Sequence, residues 1–391
     1  MIKVKIVLVL SALWFCSGAF AGNNDPKTVA RIIDAVGKKY APDKRTAVFN
    51  LSASETSGLI TVKGKTNIAE AKRLVLDSLS LLKITCRDSI IILPEQSMGE
   101  KIWAIATISV ANIRTGPDHA AELATQALMG TPVKVLEKAE NWYRIQTPDY
   151  YIGWVDERGI ALKTEAEMTR WKQSKRIIFR QITGFALSAP EKKAFPVSDL
   201  VLDDLLEMIS ETKGYFQVRF PDGRTGFIRK GDCLTFEEWT TQKPDAKAVL
   251  SVARQLLGSP YLWGGTSCKA VDCSGMVKTA WFSQAVILAR DASQQARYGE
   301  HIDFKNIVTM EPGDLLFIGR NAQRITHVGM YLGNGKYIQA SGLVRINSID
   351  PNDPLYDITE RRNLVAASRV INSLNTEGIV LVKDHPWYSL P

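Results

Sequence analysis

One stretch of this chain is written twice. Trp142-Tyr143-Arg144-Ile145-Gln146-Thr147-Pro148-Asp149, followed by Gly153-Trp154-Val155, returns 73 residues later as Tyr215-Phe216-Gln217-Val218-Arg219-Phe220-Pro221-Asp222 and Gly226-Phe227-Ile228, without a gap. An aromatic pair, a β-branched residue, a Pro-Asp turn and a Gly-aromatic-aliphatic return describe a hairpin with matching inward positions in both copies. Apolar strands at Val133–Leu136 and Leu206–Ile209 keep the same offset. The middle of the chain is therefore expected to form two tandem small β-barrels, over about 101–163 and 175–240.

The remainder leaves room for more than barrels. A chain of 391 residues suggests two to four domains, and 45% hydrophobic with 23% charged residues excludes disorder and collagen-like structure. Residues 25–100 read as a small α/β unit. Apolar spacing marks a helix over Thr28–Tyr40 and another over Asn67–Leu82; Ala47–Leu51 and Leu59–Val62 read as strands around a turn-rich Ser52–Gly58, and Ser89–Leu93 as a third. The unit carries no chemical motif.

Residues 1–21 read as an export signal. Lys3 and Lys5 precede an apolar run from Ile6 to Phe15, and Ala19-Phe20-Ala21 forms a small-x-small cleavage site. Cys16 brings a lipoprotein signal to mind, but Leu13-Trp14-Phe15 are too bulky for one. No segment is apolar for long enough to span a bilayer. Cleavage would remove two lysines and no acids, taking the formal charge from +8 to +6. That modest field suits an anionic partner such as cell wall as well as it suits plain solubility. No basic cluster interleaved with aromatics points to nucleic acid. Four histidines make a multi-histidine metal enzyme a poor fit, and neither a metal nor an organic cofactor is expected. A monomer is the expectation, although no sequence feature sets the oligomeric state.

The chemistry lies after the barrels. Without Cys16, the cysteines are Cys86, Cys233, Cys268 and Cys273. Four thiols allow two bridges by three pairings, but their irregular spacing describes no disulfide framework. A helix over Asp245–Leu257 ends at Gly258-Ser259-Pro260, followed by Tyr261-Leu262-Trp263-Gly264-Gly265 and Asp272-Cys273-Ser274-Gly275-Met276-Val277. Small residues followed by an apolar helical pattern put Cys273 at a helix N-terminus, where peptide dipoles favour a thiolate and free N–H groups can hold an oxyanion. Such a thiol needs a base. Thr326-His327-Val328-Gly329-Met330-Tyr331-Leu332-Gly333 alternates like a strand, turns at Gly333-Asn334-Gly335, and returns as Lys336–Ala340. The hairpin sets Gln339 opposite His327 or nearly so. Nucleophile, base and orienting group are then Cys273, His327 and Gln339. His119, His301 and His385 lack comparable context and read as surface or turn residues.

The PYLWGG, DCSG, THVGMYLG and YIQASG runs, in this order and spacing, resemble the NlpC/p60 family of cell-wall cysteine peptidases. The barrels are similar to bacterial SH3-like domains, and Asn112-Ile113-Arg114-Thr115-Gly116-Pro117 matches the opening of many of them. The resemblance implies an α+β chain: a papain-like NlpC-type domain over 246–391, preceded by two SH3-like β-barrels and the N-terminal α/β unit. It carries Cys273 over as nucleophile, His327 as base and Gln339 as the third polar residue, a place where family members often have histidine. Proteins with two SH3-like domains ahead of the peptidase resemble γ-D-glutamyl-L-diamino acid endopeptidases, which act on peptidoglycan stem peptides or muropeptides bearing a free N-terminal L-alanine. For the amine pocket the resemblance points to Asp291, with Ala292 where a serine often follows, and to Glu122 and Tyr151 of the first barrel. Asp272 and Ser274 flank the nucleophile as further contacts, and Trp263 either walls the pocket or sits in the core. Two other readings stay open, a non-catalytic wall-binding protein and an endopeptidase of intact N-acylated stems; an acyltransferase on the same scaffold is a third.

Overall fold

The computed structural model describes residues 25–390; the export signal read over residues 1–21 lies outside them. These residues form two compact units. One holds the chain to Gly99 together with Val135–Lys138 and Tyr150–Ile152, and the other holds the rest.

In the first unit, helix α1 (Pro26–Tyr40) starts on Asp25, whose side chain accepts from the Lys27 amide. Strands β1 (Phe49–Thr56) and β2 (Leu59–Thr66) are antiparallel, helix α2 (Ala69–Leu81) crosses over, and β3 (Cys86–Ile92) joins β2 in parallel. The expected loop over Ser52–Gly58 is instead mostly strand. Thr56 pairs with Leu59, leaving a two-residue turn in which Ser57 (φ 52°) and Gly58 (φ 77°) are both left-handed. That turn matches the natural twist of a hairpin, so pairing continues to its tip. Val29, Ile32 and Val36 of α1, Leu74 and Val75 of α2, and Ile60 and Val62 of β2 make the core.

The middle of the chain carries the repeat further than the sequence motif does. Strands β4 (Trp103–Ala106), β5 (Val110–Arg114), β6 (Leu123–Leu128), β7 (Pro132–Ala139), β8 (Trp142–Gln146), β9 (Ile152–Asp156) and β10 (Ile160–Lys163) form one sheet. Strands β11 (Arg176–Phe179), β12 (Thr183–Leu187), β13 (Pro196–Val201), β14 (Leu205–Thr212), β15 (Tyr215–Arg219), β16 (Thr225–Arg229) and β17 (Cys233–Thr235) form the other. Every strand of the second sheet begins 73 residues after its counterpart, and the two strand orders are identical. Each copy leads into a capped helix, α3 (Glu165–Gln173) on a Thr164/Glu167 capping box and α4 (Phe236–Thr241) on Thr235/Glu238. Among the described residues no pairing closes either sheet into a barrel. Edge strand β6 is covered instead. The Gln126 amide donates to Thr266 Oγ1 (3.1 Å) and the Thr266 amide to Gln126 Oε1 (2.9 Å), which occupies an edge otherwise open to a foreign strand.

The C-terminal part begins with α5 (Ala246–Gln255), capped by Asp245, and the short pair β18 (Thr266–Ser267) and β19 (Ala270–Val271). Helix α6 (Cys273–Phe282) follows, then β20 (Val286–Leu288), α7 (Ala292–Gln295) and β21 (Glu300–Ile302). Strands β22 (Leu315–Asn321), β23 (Arg324–Gly333), β24 (Lys336–Ser341) and β25 (Leu343–Ser348) form an antiparallel meander. After α8 (Ile358–Arg362), β26 (Leu364–Arg369) returns between β21 and β22, and β27 (Ile379–Leu381) pairs with β20. Met276, Val277 and Ala280 of α6 pack on Val328, Met330 and Ile338 of the meander. The eight helices among the described residues include none long and apolar enough to cross a membrane.

Candidate active site

Cys273 is the first residue of α6, and Asp272 is its N-cap, accepting from the Gly275 amide at 2.7 Å. Asp272 does more than cap. Its Oδ1 also accepts from Ser274 Oγ (3.2 Å), its Oδ2 accepts from the Gly264 amide (3.0 Å), and Arg290 grips both oxygens (3.1 and 2.5 Å). Arg290 is 1% exposed and also reaches Ser274 Oγ at 3.1 Å. Five donors saturate one carboxylate, so Asp272 and Ser274, expected as substrate contacts, are occupied in building the helix start. Gly264 is left-handed (φ 81°), and a side chain there would collide with the Leu123 carbonyl oxygen of β6. Backbone thus meets backbone where the first SH3-like sheet approaches the nucleophile helix.

Cys273 is 7% exposed. Burial, reinforced by the Asp272 charge, pushes the Cys273 thiol up to about 11, against the amides of Val328 and Ser274 and the Arg290 charge, which pull it down. The amides at the helix start favour a thiolate, as expected, but loss of hydration acts against them and is the larger effect. The described cysteines are all free thiols. Cys268, 8% exposed, donates to the Ile182 carbonyl (2.7 Å) and is also pushed up to about 11. A measurable consequence concerns iodoacetamide, which alkylates only the anion. Labelling of Cys273 should accelerate about tenfold per pH unit between pH 7 and 10, with the Cys273→Ala protein as blank. A rate already level below pH 8 would mean a pre-formed thiolate–imidazolium pair.

His327 is carried on the strand that meets this thiol: the amide hydrogen-bonded to Cys273 belongs to Val328, the next residue. Beside it, Ile318 pairs with His327 while Gly319 pairs with Ile325, so Thr326 is an extra residue in β23. Such a bulge re-aims neighbouring side chains. Gln339 is opposite Gly329 rather than His327, one diagonal step away on the same face. A Cβ on Gly329 would stand 2.9 Å from the Tyr337 ring and 3.4 Å from the Gln339 Cβ; its absence leaves Gln339 room to lean toward the histidine. Gln339 is fully buried, and its Oε1 bonds His327 Nε2. Gln339 Nε2 donates to Asn347 Oδ1 at 2.9 Å, which leaves Oε1 as the acceptor. The proton therefore sits on His327 Nε2, and Nδ1 keeps the lone pair that can take a proton from sulfur.

The remaining predicted residues separate into two groups. Glu122 and Trp263, 141 positions apart, are joined by a 2.6 Å hydrogen bond from the indole N–H. Trp263 is 62% exposed, so the core alternative is excluded. Asp291 is the N-cap of α7, in a capping box with Gln294, and lies 3.9 Å from Arg290. Tyr151 is buried, whereas Tyr150 beside it is left-handed and half-exposed. His385 is a correction, being a core residue instead of a surface one. It is 1% exposed; its Nε2 bonds the Pro148 carbonyl (3.0 Å) and its Nδ1 accepts from the Trp387 amide (3.2 Å). Burial lowers its pKa. Sequence reasoning missed Arg290, although it adjoins Asp291, and also Asn347 and Glu360. Two ordinary-looking positions after the YIQASG run carried no local signal.

A thiol at a helix start and a histidine bonded to a buried amide are the side chains a cysteine peptidase uses. Comparison with known proteins places the chain in such a family. Residues 258–360 match the NlpC/P60 family, and residues 113–160 match the bacterial dipeptidyl-peptidase Sh3 domain. The chain is 31% identical to dipeptidyl-peptidase 6 of Lysinibacillus sphaericus over 69% of its own length and 99% of that protein's. It is 28% identical to the gamma-D-glutamyl-L-lysine dipeptidyl-peptidase of Bacillus cereus, over 61% of this chain and 73% of that one. A crystal structure of a Bacillus cereus NlpC/P60 family protein superposes with a TM-score of 0.59 at 24% identity, covering 68% of this chain and 99% of that one. The chain belongs to the NlpC/P60 family.

Proposed function

We propose that this chain hydrolyses the bond between γ-D-glutamate and the following L-diamino acid in peptidoglycan stem peptides whose N-terminal L-alanine is free. The product is L-Ala-γ-D-Glu. The observation that carries the reading is the Glu122–Trp263 bond, which ties an acid of the first SH3-like sheet to the loop abutting the Cys273 helix. A free ammonium placed beside these acids gains charge-assisted hydrogen bonds that an acylated amine cannot make. Glu122 and Asp291 are the acids assigned to it, with Trp263 as a wall. The leader read over residues 1–21 would deliver the enzyme outside the cytoplasm, where wall fragments are processed.

In the proposed reaction His327 Nδ1 takes the Cys273 proton as sulfur adds to the γ-D-glutamyl carbonyl carbon, whose π electrons move to oxygen. The backbone amides at the start of α6 are the donors available to that oxygen. The imidazolium then protonates the departing amine as the C–N bond breaks, leaving a thioester. Water, losing a proton to His327, adds to the thioester, and the thiol leaves with that proton. The test is mass spectrometry on L-Ala-γ-D-Glu-meso-diaminopimelate, free and N-acetylated. Acetylation should lower kcat/KM by at least about a hundredfold. Equal cutting of both peptides would make the chain an endopeptidase of acylated stems and remove the roles of Glu122 and Asp291. Cutting of neither by folded protein would favour a wall-binding role.

A further inference from the structure

The reaction just described, on which this inference rests, places a positive charge on His327 each time the thiol gives up its proton. Gln339 accepts from Nε2–H but is neutral, so the residue that orients the ring does nothing for that charge beyond a dipole. A carboxylate stands close by. Glu360 Oε2 lies 4.0 Å from His327 Nε2, and the two side chains are 15% and 17% exposed. It is held there from two sides. Tyr337, two residues before Gln339 on β24, donates its hydroxyl to Glu360 Oε2 at 3.0 Å. Asp357, the N-cap of α8, accepts from the Glu360 amide at 3.1 Å and fixes the turn that carries the acid.

We propose that Glu360 supplies the negative charge that Gln339 lacks, acting through His327 as a positioning residue that stabilises the imidazolium. Tyr337 is the clamp that keeps the carboxylate from turning away to solvent. At this separation and exposure the pair is neither fully screened nor a direct ion pair, which corresponds to an effect of about tenfold on the rate. Asp357 and Arg345 act electrostatically on Tyr337 beside the acid, and the Cys273 thiol on α6 accepts from the amide of Val328, the residue after His327.

The test is Glu360→Gln, which can still accept from the Tyr337 hydroxyl and loses only the charge. On the free tripeptide kcat should fall about tenfold with KM unchanged. The acid limb of the pH–kcat profile should move down by about one unit, because an imidazolium without its counter-charge releases its proton at lower pH. The same downward displacement should appear in the NMR titration of the His327 ring, assigned with His327→Ala. Glu360→Asp should recover part of the loss, Tyr337→Phe should give a smaller loss of the same sign, and the melting temperature of Glu360→Gln should stay near that of the native chain. A titration midpoint unchanged in Glu360→Gln overturns the proposal, as does a loss of kcat that simply follows a loss of thermal stability. Because the NMR reading needs no substrate, failure of the native protein to cut the tripeptide would sink the functional reading alone.

Discussion

Cys273→Ala is expected to lower kcat/KM on L-Ala-γ-D-Glu-meso-diaminopimelate by roughly ten-thousandfold or more, and His327→Ala by a similar factor. The size of the effect follows from the buried, neutral thiol. With its ionisation pushed up to about 11, almost none of the sulfur is nucleophilic at neutral pH unless a base removes the proton during attack. Either substitution removes the same concerted step, so the double variant should be no slower than the worse single one. Activities that multiplied in the double variant would show the two residues working independently and would refute the shared proton transfer. Gln339→Ala should cost less, since Nε2–H would lose one neutral acceptor while Nδ1 kept its lone pair. Steady-state rates of the four proteins on one peptide decide the matter.

The largest effect on stability is expected at Arg290. The guanidinium and Asp272 form a two-pronged pair with 1% and 8% of their side chains exposed. Arg290→Met strands a buried carboxylate, a loss of about 3–5 kcal/mol, and thermal unfolding should drop by roughly 10 °C. Asp272→Asn strands the guanidinium and also weakens the cap on the Gly275 amide, for a similar total. Combining the two should cost clearly less than the sum, because the second change removes the charge that the first left unpaired. A single-variant loss below about 1 kcal/mol in urea or thermal unfolding would mean that water or another group already satisfies Asp272. The same pair bears on chemistry. Asp272 raises the Cys273 thiol and Arg290, the smaller effect, lowers it, so the two charges act on the sulfur in opposite directions.

Position-by-position comparison shows where local pattern suffices. The repeated hairpin and the apolar strand before it predicted three strands per copy, and the tertiary structure extends the same 73-residue register to all seven strand starts, because the turn chemistry and alternation that set them are local properties. The first-unit loop was misread for a local reason as well. Ser57 and Gly58 form a turn too short to show in composition, and polar Ser52, Ser54 and Glu55 on a half-exposed strand look like loop. The placements of Cys273 at a helix start and of His327 on a strand were legible because both leave small-residue and alternating patterns behind.

What the sequence by itself determined is therefore the order of the parts: a repeated β-unit, then a thiol at a capped helix start, then a histidine and a glutamine across a hairpin. Only the tertiary structure decided what those parts do to one another. It set Asp272 and Ser274 into a cap held by Arg290, buried Cys273 so that its thiol is pushed up, and took His385 into the core. It brought Glu122 to Trp263 across 141 residues and Glu360 to within 4.0 Å of His327. The physical reason is the same in each case. Hydration, hydrogen-bond saturation and charge separation depend on distances through space, and sequence pattern carries only the distances along the chain.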